Sequence, residues 1–274
     1  MSSEKFESST SGPWASDKEG GFLLEARRGE IVSLVQRYGE VPVAELSKLL
    51  HVSEVTIRSD LKALEQSGQV RRTRGGVRLP LGNQGETPLE EAGRQHAHAK
   101  RRIGQAAAAL VQDRETVFLD VGSTTTEVAR HLSPTLRGVT VVTAGINIAL
   151  ELERLPNLRV IVTGGTLRPL QHSLVSPYAL EVLRHIHADR LFLGCNGVDA
   201  IHGVTNANHE EAEVKRCMVA HAAQVIVVAD HSKLGEVSRA HLTPLSRVSA
   251  LITDRHGDGL PPALGQVLRD VQTV

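Results

Sequence analysis

Between residues 27 and 66, apolar side chains recur every three or four positions in three short bursts, and each burst predicts an amphipathic helix. In "EARRGEIVSLVQRYGE" the residues Ile31, Leu34, Val35 and Tyr38 share one face, and Gly39 supplies a stop. After the "EVP" break, "VAELSKLL" puts Val43, Leu46 and Leu50 on one side of a second, shorter helix. Ser53 suits the N-cap of a third, with Glu54 in the first turn, where the helix dipole favours an acid. Ile57, Leu61 and Leu64 form its buried stripe, and Gly68 ends it. The period then changes. "QVRRTRGGVRL" alternates around Gly75 and Gly76 as a β-hairpin does.

From about residue 96 the pattern changes again. The apolar runs "TVFLDVG", "VTVVTAG", "LRVIVTGG", "RLFLGCNG", "QVIVVAD" and "SALITD" alternate with helical stretches such as "AKRRIGQAAAALVQD", "TTEVARHL", "NIALELERL", "PYALEVLRHI" and "EEAEVKRCMVAHA". Short buried-type strands alternating with helices predict an α/β domain with a mostly parallel sheet, in which ligands sit beyond the carboxyl ends of the strands. "PLGNQGETPLEEAGRQ", rich in Pro, Gly and acids and without sustained periodicity, reads as a linker with a frayed helical end. The Ser- and Gly-rich N-terminal stretch reads as a disordered tail.

Charge changes this picture locally. The 31 Lys and Arg equal the 31 Asp and Glu, so the chain as a whole does not look like a nucleic-acid binder. Yet Arg58, Lys62, Arg71, Arg72, Arg74 and Arg78 face only Asp60 and Glu65 in the stretch from 58 to 78. One reading is a solvated helix face, with Arg58 and Lys62 paired to Asp60 and Glu65. The preceding short helix, the tight turn and the Arg-rich hairpin favour the other reading, a helix-turn-helix with a basic wing. Ser53, Thr56, Arg58, Ser59 and Lys62 would then face the DNA, with short polar and Arg side chains at base edges, and Arg71, Arg72 and Arg74 would meet phosphates.

The second domain carries its chemistry at strand ends. "DVGSTTTEVA" leaves a strand and opens a helix, setting Gly122 and the hydroxyls of Ser123, Thr124, Thr125 and Thr126 at a helix N-terminus, which favours an anion. "TAGIN", "TGGTL" with Gly164 and Gly165, and "ADHSK" with Lys233 complete a polar pocket lined by small residues and suited to a small phosphorylated ligand. Cys195 and Cys217 give no disulfide framework and no metal signature, which fits a reducing cytoplasm. His96 with His98, and His185 with His187, have a two-residue spacing that turns the rings apart on a helix, so no metal or other cofactor is expected; His231 reads as a surface residue. No apolar stretch is long enough to span a membrane.

"VPVAELSKLLHVSEVTIRSDLKALEQSGQVRRTRGGV" closely resembles the N-terminal winged helix-turn-helix of the DeoR family of bacterial transcriptional regulators. Ser59 stands where that family usually has a second Arg, and Arg74 where His is common. "FLDVGSTTTEVA", "VIVTGGTLR", "FLGCNGVDAIHGVTN", "EVKRCMV" and "VVADHSKLG" resemble the family's C-terminal sensor domain, similar in fold to ribose-phosphate isomerases. The resemblance implies a regulator of sugar catabolism, most often a repressor, controlled by a phosphorylated sugar. It places the phosphate loop at Asp120, Gly122, Ser123, Thr124 and Thr125, and the rest of the effector site at Thr143, Gly164, Gly165, Gly194, Lys215, Asp230 and Lys233. Ala144 replaces the usual Asn, and Ser176 a frequent Gly. The organisation expected is a tail over 1–21, a DNA-binding domain over 22–80, a linker over 81–95 and an effector-sensing domain over 96–274. A double-stranded operator and a homodimer or homotetramer are expected partners, because one winged helix reads only a short half-site. The competing reading is a sugar-phosphate isomerase-like enzyme fused to a DNA-binding module, with Asp120, Asp230 or Lys215 as general base; a third is a constitutive architectural binder.

Overall fold

In the computed structural model, which describes residues 20–38, 40–67, 69–73, 75–78, 86–255 and 260–274, the chain divides after Glu86 into two units. Residues 1–19 of the expected tail, the stops at Gly39 and Gly68, Arg74 and the first part of the linker lie outside the described residues, and the last two positions assigned to the tail, 20 and 21, are helical.

The first unit begins with α1 (Gly20–Tyr38), which buries Ile31, Val32 and Val35 while Leu34 and Tyr38 are half-buried. The "EVP" break is itself a strand, β1 (Glu40–Pro42), leading into α2 (Val43–Leu49) and α3 (Glu54–Gln66). The hairpin strands β2 (Arg71–Arg72) and β3 (Gly76–Arg78) follow. β3 pairs antiparallel with both β1 and β2, so the wing is a three-stranded sheet and not a free hairpin. Gly75 turns the hairpin with φ 93°, whereas Gly76 is already in β3. Val43, Leu46, Leu50, Ile57, Leu61 and Leu64 join the α1 residues in one core.

α3 starts where a side chain can cap it. Ser53 Oγ accepts from Thr56 N at 3.1 Å, satisfying one of the donors a helix start leaves open. Ser53→Ala should therefore cost the first unit about 1 kcal/mol. Urea unfolding followed by helical signal would measure it, and a loss below about 0.3 kcal/mol would show that water replaces the cap.

In the second unit α4 (Leu89–Arg94) and α5 (Ala97–Ala108) precede β4 (Thr116–Leu119), and α6 (Ser123–His131) precedes β5 (Thr140–Thr143). Then come α7 (Ile146–Leu152), β6 (Arg159–Val162), and a hairpin of β7 (Thr166–Arg168) with β8 (Ser173–Val175). α8 (Tyr178–Arg184), β9 (Ala188–Leu193), β10 (Gly197–Asp199), β11 (Gly203–Asn206) and α9 (His209–Ala220) continue the chain. β12 (Ala222–Val228), β13 (Ala240–Thr243), β14 (Ala250–Thr253), α10 (Pro262–Val267) and β15 (Val271–Thr273) end it. Residues 89–94, which composition assigns to the linker, thus form a helix.

Seven strands build one sheet in the order β15-β14-β12-β9-β4-β5-β6, and every pairing in it is parallel. Both faces are covered. Phe118 packs into one core with Leu183, Leu191 and Met218, while its neighbours Val117 and Leu119 enter the other with Ile103, Ile148 and Phe192. This is why the strands read as continuous apolar runs. α5 lies against α6 closely enough that a Cβ on Gly104 would come within 2.5 Å of Glu127 Cβ, so that glycine permits the contact that seats α6. β10, β11 and β13 form a separate antiparallel sheet.

Candidate nucleic-acid interface and effector pocket

Ser53, Thr56, Arg58, Ser59 and Lys62 all lie at or on α3, but the structure gives them different duties. Ser53 and Thr56 are engaged with each other, their hydroxyl oxygens 2.9 Å apart, as part of the cap. Arg58 donates to Glu54 Oε2 at 2.7 Å one turn back. The side chains of Ser59 and Lys62 are exposed and make no hydrogen bond or ion pair with a described residue. In the wing, Arg71 and Arg72 are exposed, and the backbone N–H of Arg72 donates to Glu65 Oε1 at 3.1 Å.

Asp60 departs from expectation. Counted by sequence as an acid offsetting the basic edge, it is 1% exposed, and its two oxygens accept from Arg27 Nε at 2.7 Å and Arg28 Nε at 3.0 Å. The pairing of Arg58 and Lys62 with Asp60 and Glu65 does not form. One acid of that count is thus spent inside the unit, joining α3 to α1, while Glu54, just outside the counted stretch, offsets Arg58.

In the second unit, adjacent carboxyl ends of β12, β9, β4, β5 and β6 present Asp230, Gly194, Asp120, Thr143 and Gly164 in that order. With strands about 4.8 Å apart, these positions spread over about 19 Å. Asp120 is the centre. It is 1% exposed, and its Oδ2 accepts from Lys215 Nζ at 2.6 Å and from Gly194 N at 2.9 Å. Lys215 reaches it from α9 and also donates to Gly194 O at 3.1 Å. Asp120 Oδ1 is buried without a hydrogen-bond partner among the described residues.

The electrostatics follow from that burial. Desolvation lifts the Asp120 carboxyl above the ordinary range against the pull of Lys215. Burial also opposes the charge on Lys215, but Asp120 and Glu211 outweigh it and leave the ammonium raised. Lys215 therefore stays a cation, held by two carboxylates. Desolvation pushes the Cys195 thiol up to about 12 despite Lys215 and Lys233, so it is no nucleophile at neutral pH.

α6 begins beside Asp120. Gly122 has φ 136° and gives no side-chain cap, so the N–H groups of Ser123, Thr124 and Thr125 precede the first intrahelical bond, from Thr126 N to Gly122 O. The hydroxyl cluster is less free than its sequence suggests. Thr125 and Thr126 both donate back to Gly122 O, at 2.9 and 2.7 Å, so the backbone N–H groups carry the anion-binding capacity of this turn.

The remaining predicted residues fall into two groups. Thr143 Oγ1 accepts from Gly145 N at 3.0 Å, and Gly164 (φ 71°) and Gly165 (φ 126°) turn the chain into the β7–β8 hairpin, where a Cβ on Gly165 would meet Val175 O at 2.1 Å. These are structural duties at the β5 and β6 end of that row of strand ends. Asp230, at the other end, accepts from Ser232 N and Oγ, at 3.0 and 2.5 Å. Although burial pushes its carboxyl up, the Ser232 hydroxyl, Lys100 and Lys233 hold it below the ordinary range. The Lys233 side chain makes no hydrogen bond or ion pair with a described residue, while its backbone N–H donates to Asp230 O at 3.0 Å.

Sequence reasoning missed Lys100. It is 4% exposed, lies 3.7 Å from Asp230 Oδ2, and donates to the carbonyls of Ala92 and Gln95, the latter at 2.9 Å. Desolvation lowers its ammonium pKa, with Asp230 opposing. It missed Glu211 too, buried on α9 and hydrogen-bonded by Arg168 and by Ser173 Oγ. His231 is no bland surface residue: its Nδ1 lies 2.8 Å from Asp254 Oδ2 and its ring stands edge-on to His96 at 4.6 Å. His185 and His187 follow α8 and are not on a helix, and no cluster of three metal-ligating side chains occurs among the described residues. Ala144 is buried in the core, and Ser176 Oγ donates to Glu213 Oε2 at 2.8 Å. Among the described residues no helix is long and apolar enough to cross a membrane.

Comparison with known proteins matches both units. The model of the DeoR-like helix-turn-helix domain matches residues 27–81, and that of the DeoR C terminal sensor domain matches residues 95–255. The chain is 34% identical, over 83% of its own length and 89% of the relative's, to the HTH-type transcriptional regulator GolR of Listeria innocua. To the HTH-type transcriptional repressor GlcR of Bacillus subtilis it is also 34% identical, over 84% and 88%. Ribose 5-phosphate isomerase A from Methanocaldococcus jannaschii aligns with 49% of this chain and 53% of its own at 17% identity and a TM-score of 0.37. A basic winged helix-turn-helix and a sensor domain, each matched by its own family model and joined in one chain as in these regulators, leave no place for the enzyme reading: the protein belongs to the DeoR family of transcriptional regulators.

Proposed function

We propose that this regulator represses a sugar-catabolism operon and that a phosphorylated sugar, bound beyond β4 and β9, controls its hold on DNA. The observation that carries this reading is the pairing of an uncapped α6 N-terminus with the orphan Asp120 Oδ1. The first suits a phosphate, the second suits a hydroxyl donor, and a sugar phosphate supplies both. Gly122, Ser123, Thr124 and Thr125 take the phosphate, Asp120 takes a hydroxyl, and Gly194, Lys215 and Thr143 shape the floor. Lys233, Asp230, Gly164 and Gly165 border it. The name of GlcR supports repression as the sign of control. The working unit is a homodimer or homotetramer in the cytoplasm, which pairs two winged helices on a two-fold operator.

For the effect on DNA, the ligand must bind the DNA-competent and DNA-released states unequally. Fluorescence anisotropy on DNA from upstream of the protein's own gene cluster, titrated with phosphorylated and unphosphorylated sugars at fixed salt, tests this. One phosphorylated sugar should weaken binding while its unphosphorylated form does not. Tight binding indifferent to every sugar would sink the sensor half of the reading and leave the DNA half standing.

Arg72 should act through phosphate alone. Arg72→Ala should reduce the slope of log affinity against log salt by about one unit and weaken operator and random DNA alike. A loss confined to operator DNA would place Arg72 at a base.

A further inference from the structure

The face that α3 turns away from its own unit can be read from burial. Ile57, Asp60, Leu61 and Leu64 are its buried residues. At about 100° per residue, Val55, Ser59, Lys62 and Gln66 lie about 150–170° from the centre of that stripe, a continuous ridge on the opposite side. All four are exposed. Arg58 lies about 110° from the stripe, on the flank, where Glu54 holds it.

Val55 heads the ridge. It is 75% exposed and the only large apolar side chain exposed on α3. A single exposed valine on a surface helix is ordinary. This one occupies the first turn of the second helix of a helix-turn-helix, the part that contacts base edges when that helix enters the major groove. There an aliphatic side chain has one apolar partner, the 5-methyl group of thymine. Ser59, one turn along the ridge, is short, so no long side chain holds the base pairs away from Val55. A β-branched side chain on a helix is also nearly fixed in rotamer, so little entropy is lost when it is packed.

We propose that Val55 is a specificity-determining residue that packs against the 5-methyl group of one thymine in each operator half-site. This rests on the reading of α3 as the DNA-reading helix, and makes Val55, ahead of Arg58, the residue at the centre of the contact.

Replacing thymine by deoxyuridine removes that methyl group and nothing else. An operator would be selected from a randomised duplex pool with the full-length protein, each of its thymines replaced singly by deoxyuridine, and binding of wild type, Val55→Ala and Val55→Ser measured by anisotropy at fixed salt. At one position per half-site the wild type should lose about fourfold in affinity, the worth of one buried methyl group. At that position the two variants should bind thymine and deoxyuridine operators equally. Three results would overturn the proposal: no thymine position sensitive to methyl loss, a variant that keeps the wild-type ratio, or variants weakened equally on operator and random DNA. A pool that yields no preferred sequence is a different failure, because it removes the DNA-reading role of α3 together with the contact that depends on it.

Discussion

Replacing Lys215 by methionine should destabilise the second unit by about 3–5 kcal/mol, because it strips the paired cation from a buried carboxylate. Asp120 is 1% exposed and Lys215 3%, so water cannot take over the lost interaction, and Gly194 O loses its donor as well. Methionine keeps most of the volume, which leaves charge as the cause. The double variant Asp120→Asn, Lys215→Met should recover much of the loss, since a neutral pair needs no countercharge. The pH dependence has a definite sign. Burial already lifts the folded-state pKa of Asp120, and removing Lys215 lifts it further. A carboxyl whose pKa is higher folded than unfolded takes up a proton more readily in the folded protein, so the variant gains stability as pH falls through that folded pKa towards the unfolded one, and loses it as pH rises back through the folded pKa. Urea unfolding at about pH 8 and about pH 5 should show the deficit of Lys215→Met shrinking at the lower pH. A loss under about 1 kcal/mol, unchanged with pH, would mean that Asp120 is hydrated and would weaken its role as a buried acceptor for a sugar hydroxyl.

The elements that periodicity revealed were helices with a one-sided apolar stripe and strands lying inside continuous apolar runs of sequence. α2, α3 and the strands β4, β5, β6, β9, β12 and β14 stand where their apolar positions put them. What periodicity could not show are strands of three or four residues paired out of chain order. β1 holds Pro42 and pairs with β3 across two helices, so "EVP" looks like a break. β10 and β11 begin at Gly197 and Gly203, and β13 pairs with β11 across α9 and β12.

The buried charges were hidden for a different reason. Asp60 follows Ile57 by three and precedes Leu64 by four, so it lies in the apolar stripe of α3. Lys100 precedes Ile103 by three and Gly104 by four, which places it in the buried stripe of α5, and Glu211 and Lys215 face inward on α9 with Ala212, Val214 and Met218. A charged residue at a stripe position is the signal that was available, because burying it is affordable only with a partner. The sequence cannot name the partner, which comes from far along the chain: Arg27 and Arg28 for Asp60, Asp120 for Lys215, Asp230 for Lys100.

Asp60 is where this matters most for DNA binding, and Asp60→Ala should cost the first unit about 2–3 kcal/mol, the worth of two charged hydrogen bonds less what solvent returns to the arginines. Arg27 and Arg28 are 15% and 30% exposed in their side chains, so both can turn to water, which is why the loss falls short of that for Lys215. The first unit has a small core, and a loss of this size is a large fraction of what so short a domain holds. The consequence reaches function through geometry. Asp60 ties α3 to α1 on the side opposite Val55, Ser59 and Lys62, so cutting it loosens the helix that must enter the groove as a rigid body. Asp60→Ala should therefore lower the midpoint of the first unit's unfolding transition, leave that of the second unit in place, and weaken operator binding beyond the fraction unfolded. Asp60→Asn, which keeps an acceptor but not the charge, should fall between the two. Operator binding that tracks only the folded fraction would show that the tie stabilises the unit without orienting α3.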